Sequence, residues 1–177
     1  INPVHQIATV LDKIAGVDLD EGDDDFAPSK MVITDIRAGM EVTNVTPGEL
    51  KMMFNVRNST KTTQEEVKLH IDQCFDGLDY SLELTQGSYP FLTKRDSKIV
   101  QKLTSSIKNI TGLETKLSTA GGTSDARFMG AFGIDVVEFG VINDTIHAPN
   151  ERTSIQEVEA LCTVFKDTVK HFSEGSI

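Results

Sequence analysis

The chain has 177 residues, 38% hydrophobic and 25% charged, a balance that fits a soluble globular protein with room for one ordinary domain or two small ones. Its net charge of −10, from 27 acidic against 17 basic residues, argues against a general nucleic-acid binder, which needs a basic face for phosphates. No apolar run approaches the length of a membrane span.

Asn2 can cap a helix whose first position is Pro3, and Val4, Ile7, Ala8, Leu11, Ile14 and Ala15 recur at helical spacing until Gly16 stops it. His5, in the first turn, reads as a solvent-facing or capping histidine. Residues 18–25, D-L-D-E-G-D-D-D, hold six carboxylates, but the EF-hand spacing fails: the glycine is misplaced and Ser29 would occupy position twelve. The run reads as a solvated acidic loop.

Residues 31–38 and 49–59 alternate as strands, joined by a turn containing Asn44 and Pro47-Gly48. In the second, Leu50, Met52, Phe54 and Val56 share one face, and Lys51, Met53, Asn55 and Arg57 the other. Thr63 and Glu66 form a capping box for a helix carrying Val67, Ile71, Cys74 and Phe75 on one side, and 78–85 alternates weakly as a further strand. Helix, strand, strand, helix, strand is a ferredoxin-like βαββαβ unit without its first strand.

A connector at 86–94, with Gly87 and Pro90, separates the expected domains, 1–88 and 89–177. Beyond it, Asp96 caps a helix bearing Ile99, Val100, Leu103, Ile107 and Ile110. A strand at 113–119, a helix at 124–133 and a strand at 134–140 follow. Ser154 with Glu157 caps a last helix expected to bury Ile155, Val158, Leu161, Cys162, Phe165, Val169 and Phe172. Helices alternating with apolar strands predict a layered α/β sheet. Cys74 and Cys162 both fall on apolar helix faces and read as buried reduced thiols, which fits a cytoplasmic setting.

Gly121-Gly122-Thr123-Ser124 lies between a strand and a helix, where free N–H groups and the helix dipole suit an anion, and Arg127 follows within reach of a carboxylate. Many such turns are glycine-rich for steric reasons alone. His147 follows a strand by a short turn; by itself it reads as a structural histidine more readily than as a metal ligand, since metal sites need several convergent groups.

Taken together, G-G-T-S-D-A-R-F at 121–128, V-E-F-G at 137–140, T-I-H at 145–147 and N-E at 150–151 resemble the C-terminal signature of the zinc-dependent amidohydrolases of the aminoacylase and carboxypeptidase metallopeptidase family. N-P-x-H at 2–5, N-V-x-P-G-E-L at 44–50 and F-N-x-R-x-S-T at 54–60 extend the resemblance through nearly the whole chain. It covers only the second half of such an enzyme: most of a lid and dimerisation domain, then the C-terminal part of a catalytic domain.

The resemblance implies two zinc ions per intact subunit, a homodimer formed through the lid, and hydrolysis of the small dicarboxylate amide N-succinyl-L,L-diaminopimelate. It makes His147 a zinc ligand. Gly121, Gly122, Thr123, Ser124, Arg127 and Arg57 become substrate-binding residues, with Asn44 and Asn143 as polar contacts. Read alone, Asn44 is equally a turn residue, and Arg57 a surface salt-bridge partner. The family's His-x-Asp motif and glutamate pair have look-alikes at His70-Ile71-Asp72 and Glu65-Glu66, but these share one amphipathic helix in reversed order and read as solvated surface. No general base is expected in this chain, which should be inactive by itself. A related deacylase or carboxypeptidase, or a stand-alone dimerisation module, is the alternative.

Overall fold

The computed structural model describes residues 1–121, 124–142 and 144–174. The chain divides into two compact units, Ile1–Pro90 and Phe91–Ile177.

In the first unit, helix α1 spans Pro3–Ala8, with Asn2 Oδ1 accepting the Val4 N–H at 3.0 Å. The apolar spacing promised a longer helix. It ends at Thr9, whose hydroxyl donates back to the Gln6 carbonyl at 2.8 Å, a side-chain bond that competes with continued helix. A 3-10 turn at Leu11–Lys13 follows, and Ile7, Val10 and Ile14 still bury on one side.

Strands β1 (Lys30–Ala38) and β2 (Leu50–Arg57) pair antiparallel from Lys30↔Arg57 to Ala38↔Leu50, with a bulge between Ile33 and Asp35. The expected faces of β2 hold: Leu50, Met52, Phe54 and Val56 pack inward while Lys51, Met53, Asn55 and Arg57 are exposed. Helix α2 (Gln64–Cys74) starts at the reciprocal Thr63–Glu66 capping box and lays Val67 and Ile71 on the same core, which also buries Met31 and Phe75. Full burial of a side chain such as Ile71 contributes about 1.5–3 kcal/mol.

Segment 78–85 departs from expectation. Leu82 and Leu84 are half-buried against the core between exposed Ser81, Glu83 and Thr85, the alternation of a strand. Yet no described strand lies beside it, and a ladder needs two backbones; the sheet has only two strands. The Gln64 side chain donates to the Leu84 carbonyl at 3.0 Å instead.

In the second unit, α3 (Lys98–Thr111) has Ser97 rather than Asp96 at its N-cap position, with no side-chain capping bond, and stops at Gly112, whose φ of 73° is left-handed. Helix α4 is short, Ala126–Ala131. Its Gly130 admits the Phe91 ring: a Cβ there would sit 2.6 Å from the ring carbon Cγ. Helix α5 (Ile155–Glu174) opens with Ser154 and Glu157 bonding reciprocally and packs against α3 through Val164, beside Leu103 and Ile107.

The expected inward stripe of α5 is largely outward. Val164 and Thr168 are buried, whereas Ile155, Val158, Phe165 and Val169 are 74%, 48%, 44% and 68% exposed, and Cys162 is exposed as well. The two faces overlap in sequence, and α3 meets the narrower one. Cys74 is half-buried; both cysteines are free.

The strands expected at 113–119 and 134–140 are not formed as ladders, so the layered sheet is absent among the described residues. Residues 113–119 lie exposed. In 134–140, Val137 and Phe139 pack on the α3–α5 core, and Phe139 meets Phe165 edge-on at 6.0 Å. The model is thus α/β with one small sheet. No described helix is long and apolar enough to cross a membrane.

Candidate functional site

In the first unit, Arg57 ends β2 on its exposed face. Among the described residues no side chain forms an ion pair or hydrogen bond with its guanidinium, so the salt-bridge role open to it from sequence has no partner here. Asn44 is exposed in the connection between β1 and β2.

In the second unit, Ser124 stands just before α4. Its hydroxyl accepts the Ala126 N–H at 3.0 Å and donates to Glu138 Oε1, tying the turn to the extended segment 134–140. Gly121 is exposed with a φ of 147°, a conformation that L side chains rarely adopt. Arg127 lies over the Phe128 ring at 4.7 Å, and its Nε is buried without a hydrogen-bond partner. Gly122, Thr123 and Asn143 lie outside the described residues.

His147 sits in a loop that Thr145 closes, its hydroxyl bonding both the carbonyl and the N–H of Arg152 at 3.2 and 3.1 Å. The His147 N–H reaches Glu151 Oε2 at 3.4 Å. Its backbone is left-handed, φ 59°, a conformation that costs a non-glycine residue about 1–3 kcal/mol, and its ring is exposed. Ser124 and Arg127 share one helix start, but no hydrogen bond or ion pair joins either to His147 among the described residues.

Of the look-alike residues on α2, Glu65 and Glu66 are exposed as expected, whereas His70 and Asp72 are half-buried and have structural partners. His70 Nε2 lies 3.0 Å from the Lys13 carbonyl and 3.6 Å from Cys74 Sγ. This is no nucleophilic pair, because burial pushes the Cys74 thiol up and keeps it protonated. Asp72 takes hydrogen bonds from Lys68 and Tyr80, which hold its carboxyl below the usual range. Among the described residues no three histidine, cysteine or acidic side chains converge as a metal site. His147 is therefore one donor without a set.

Two residues escaped the sequence reading. Glu138 was marked by a lone charge between apolar neighbours in V-V-E-F. Asp20 was hidden inside the acidic run: it faces inward, with buried Ser29, Ser59 and Thr62 around it.

Comparison with known proteins bears on both units at once. The model of peptidase family M20/M25/M40 matches residues 6–171. Proteins named succinyl-diaminopimelate desuccinylase are 64% identical over 174 residues in a Sulfurovum species, 62% over 172 in a Nitratiruptor species and 63% over 172 in Aliarcobacter butzleri. Each alignment covers 97–98% of this chain and 47% of the relative, so the chain spans about half the length of these curated relatives. A solved M20 family metallo-carboxypeptidase from Sulfolobus solfataricus superposes with a TM-score of 0.72 at 16% identity, over 96% of this chain and 52% of its own, which is a likeness of fold.

Proposed function

This chain belongs to the M20/M25/M40 peptidase family, and on that premise we propose that it is the C-terminal half of a zinc-dependent succinyl-diaminopimelate desuccinylase. The carrying observation is identity above 60% through both units with relatives of that name. The parent would act in the cytoplasm, hydrolysing the amide of N-succinyl-L,L-diaminopimelate to succinate and L,L-diaminopimelate.

Residues 1–88 would form the lid and dimerisation domain and 89–177 part of the catalytic domain. The strand-like alternation of 78–85 beside a two-stranded hairpin supports a ferredoxin-like lid whose remaining strand comes from elsewhere in the parent. Arg57, exposed and without a side-chain partner among the described residues, suits a substrate carboxylate read bidentately. Arg127 and the turn 121–124 suit a second, and Asn44 and Asn143 would add polar contacts. His147 fits a zinc site as one donor, with an exposed ring that no side chain bonds among the described residues. When bound, the metal pair would supply polarisation of the amide carbonyl and activation of a water. The other donors and the general base would come from the other half.

The test is to purify the full-length gene product, load it with zinc and measure succinate release from N-succinyl-L,L-diaminopimelate beside N-acetylornithine and a short peptide. Turnover of the succinyl substrate, absent for this chain alone, is expected. Preference for either competitor would move the chain to another member of the group.

A further inference from the structure

The acidic run contains one carboxylate, the half-buried Asp20, that is turned in to protein donors. Asp20 Oδ1 accepts the N–H groups of Gly22 at 2.7 Å and Ser29 at 3.1 Å, and Oδ2 accepts the hydroxyls of Ser59 at 2.9 Å and Thr62. The partners lock one another: Ser29 Oγ accepts the Ser59 N–H at 2.7 Å, and the Asn58 amide reaches the carbonyls of Ser59 and Thr62 at 3.3 and 3.4 Å. Ser29 and Ser59 are 0% and 2% exposed. The loop has no slack on the other side either. Gly22 is left-handed at φ 66°, and a Cβ there would lie 2.5 Å from the Phe26 carbonyl.

This knot stands at the end of the sheet where Arg57 stands. Arg57 is the last residue of β2 and pairs in register with Lys30, next to Ser29. Ser59 is two residues further on. The guanidinium has no side-chain partner of its own among the described residues, so its placement depends on the backbone that carries it. A displacement of about 1 Å at a substrate-positioning group can cost on the order of a hundred-fold in rate.

We propose that Asp20 is a positioning residue for Arg57: by gathering Ser29, Ser59 and Thr62 it fixes the chain immediately beyond β2, and so fixes where the guanidinium meets a substrate carboxylate. The proposal rests on the reading of Arg57 as a substrate-binding residue. Burial acts to raise the Asp20 pKa, but hydrogen bonds from Ser29, Thr62 and the Gly22 amide outweigh it, and the group stays a charged acceptor.

The test is a double-mutant cycle in the full-length gene product, with Asp20→Asn, Arg57→Lys and the pair, assayed below the melting temperature of each. Asp20→Asn is expected to raise KM for the succinylated substrate about ten-fold while kcat holds within about two-fold. Arg57→Lys should lower kcat/KM by about ten- to a hundred-fold, and Asp20→Asn should add almost nothing in that background. Equal losses in both backgrounds would make Asp20 a stability residue and overturn the inference while leaving the Arg57 reading intact. Normal kinetics for Arg57→Lys would overturn the reading and the inference with it. Should Asp20→Asn fail to fold, Ser59→Ala and Thr62→Val each remove one donor and run the same cycle under the same criteria.

Discussion

Thr145 and Arg152 close the loop that carries His147, the threonine hydroxyl donating to the arginine carbonyl at 3.2 Å and accepting its N–H at 3.1 Å. A loop so pinned can hold an exposed imidazole in a left-handed backbone without help from the ring. In the full-length protein, His147→Ala should therefore keep its fold, melt like the wild type when both are metal-free, and lose zinc, and activity should fall by several orders of magnitude. Metal analysis beside a thermal melt checks this. Early melting with full zinc and near-normal kcat would make His147 structural.

Arg57→Lys keeps the charge and removes the planar fork. If Arg57 binds a substrate carboxylate, the substitution should cost about 1.5–3 kcal/mol in transition-state stabilisation, read from kcat/KM. An unchanged kcat/KM would return Arg57 to the role of an ordinary surface cation.

The metal content of the isolated chain follows from its donors. His147 alone cannot hold a dinuclear pair, and no other described trio of donors converges. Dialysed protein should carry fewer than two zincs per chain. Two tightly held ions would overturn the view that the other ligands come from elsewhere.

Acid should unfold the first unit through Asp20. Its folded pKa is depressed, so an unfolded chain takes up this proton near pH 3.9 while the folded chain does not. The stabilisation is complete above that value and is lost as pH falls below it toward the folded pKa. Asp23 and Asp72 shift in the same direction. Urea midpoints between pH 2.5 and 6 should drop steeply on acidification for the wild type and less for Asp20→Asn, with the two curves converging at low pH. Parallel curves would contradict the assignment.

Much of the local structure was legible because its causes are local. The Asn2 cap, the Thr63–Glu66 box and the alternation of β2 each depend on residues a few positions apart, and each is found. The strands at 78–85, 113–119 and 134–140 carry strand-like sequence, but a strand exists only with a neighbour, and composition does not reveal whether one is present. The Asp20 knot joins residues 39 and 42 positions apart, beyond any periodic pattern. The inward face of α5 was misjudged because its apolar residues outnumber what α3 alone can cover. The roles of His147 and Arg57 came from motif likeness. Geometry adds that both are exposed and unpaired among the described residues, which sequence spacing could not say.

The outward stripe of α5 has a consequence for the behaviour of the chain on its own. Ile155, Val158, Phe165 and Val169 line up along one side of a helix about 30 Å long. A largely exposed apolar strip of that kind is what reporter dyes such as ANS capture. The isolated chain should therefore brighten ANS through that helix, whereas the hydrogen-bonded knot at Asp20 offers the dye little apolar surface.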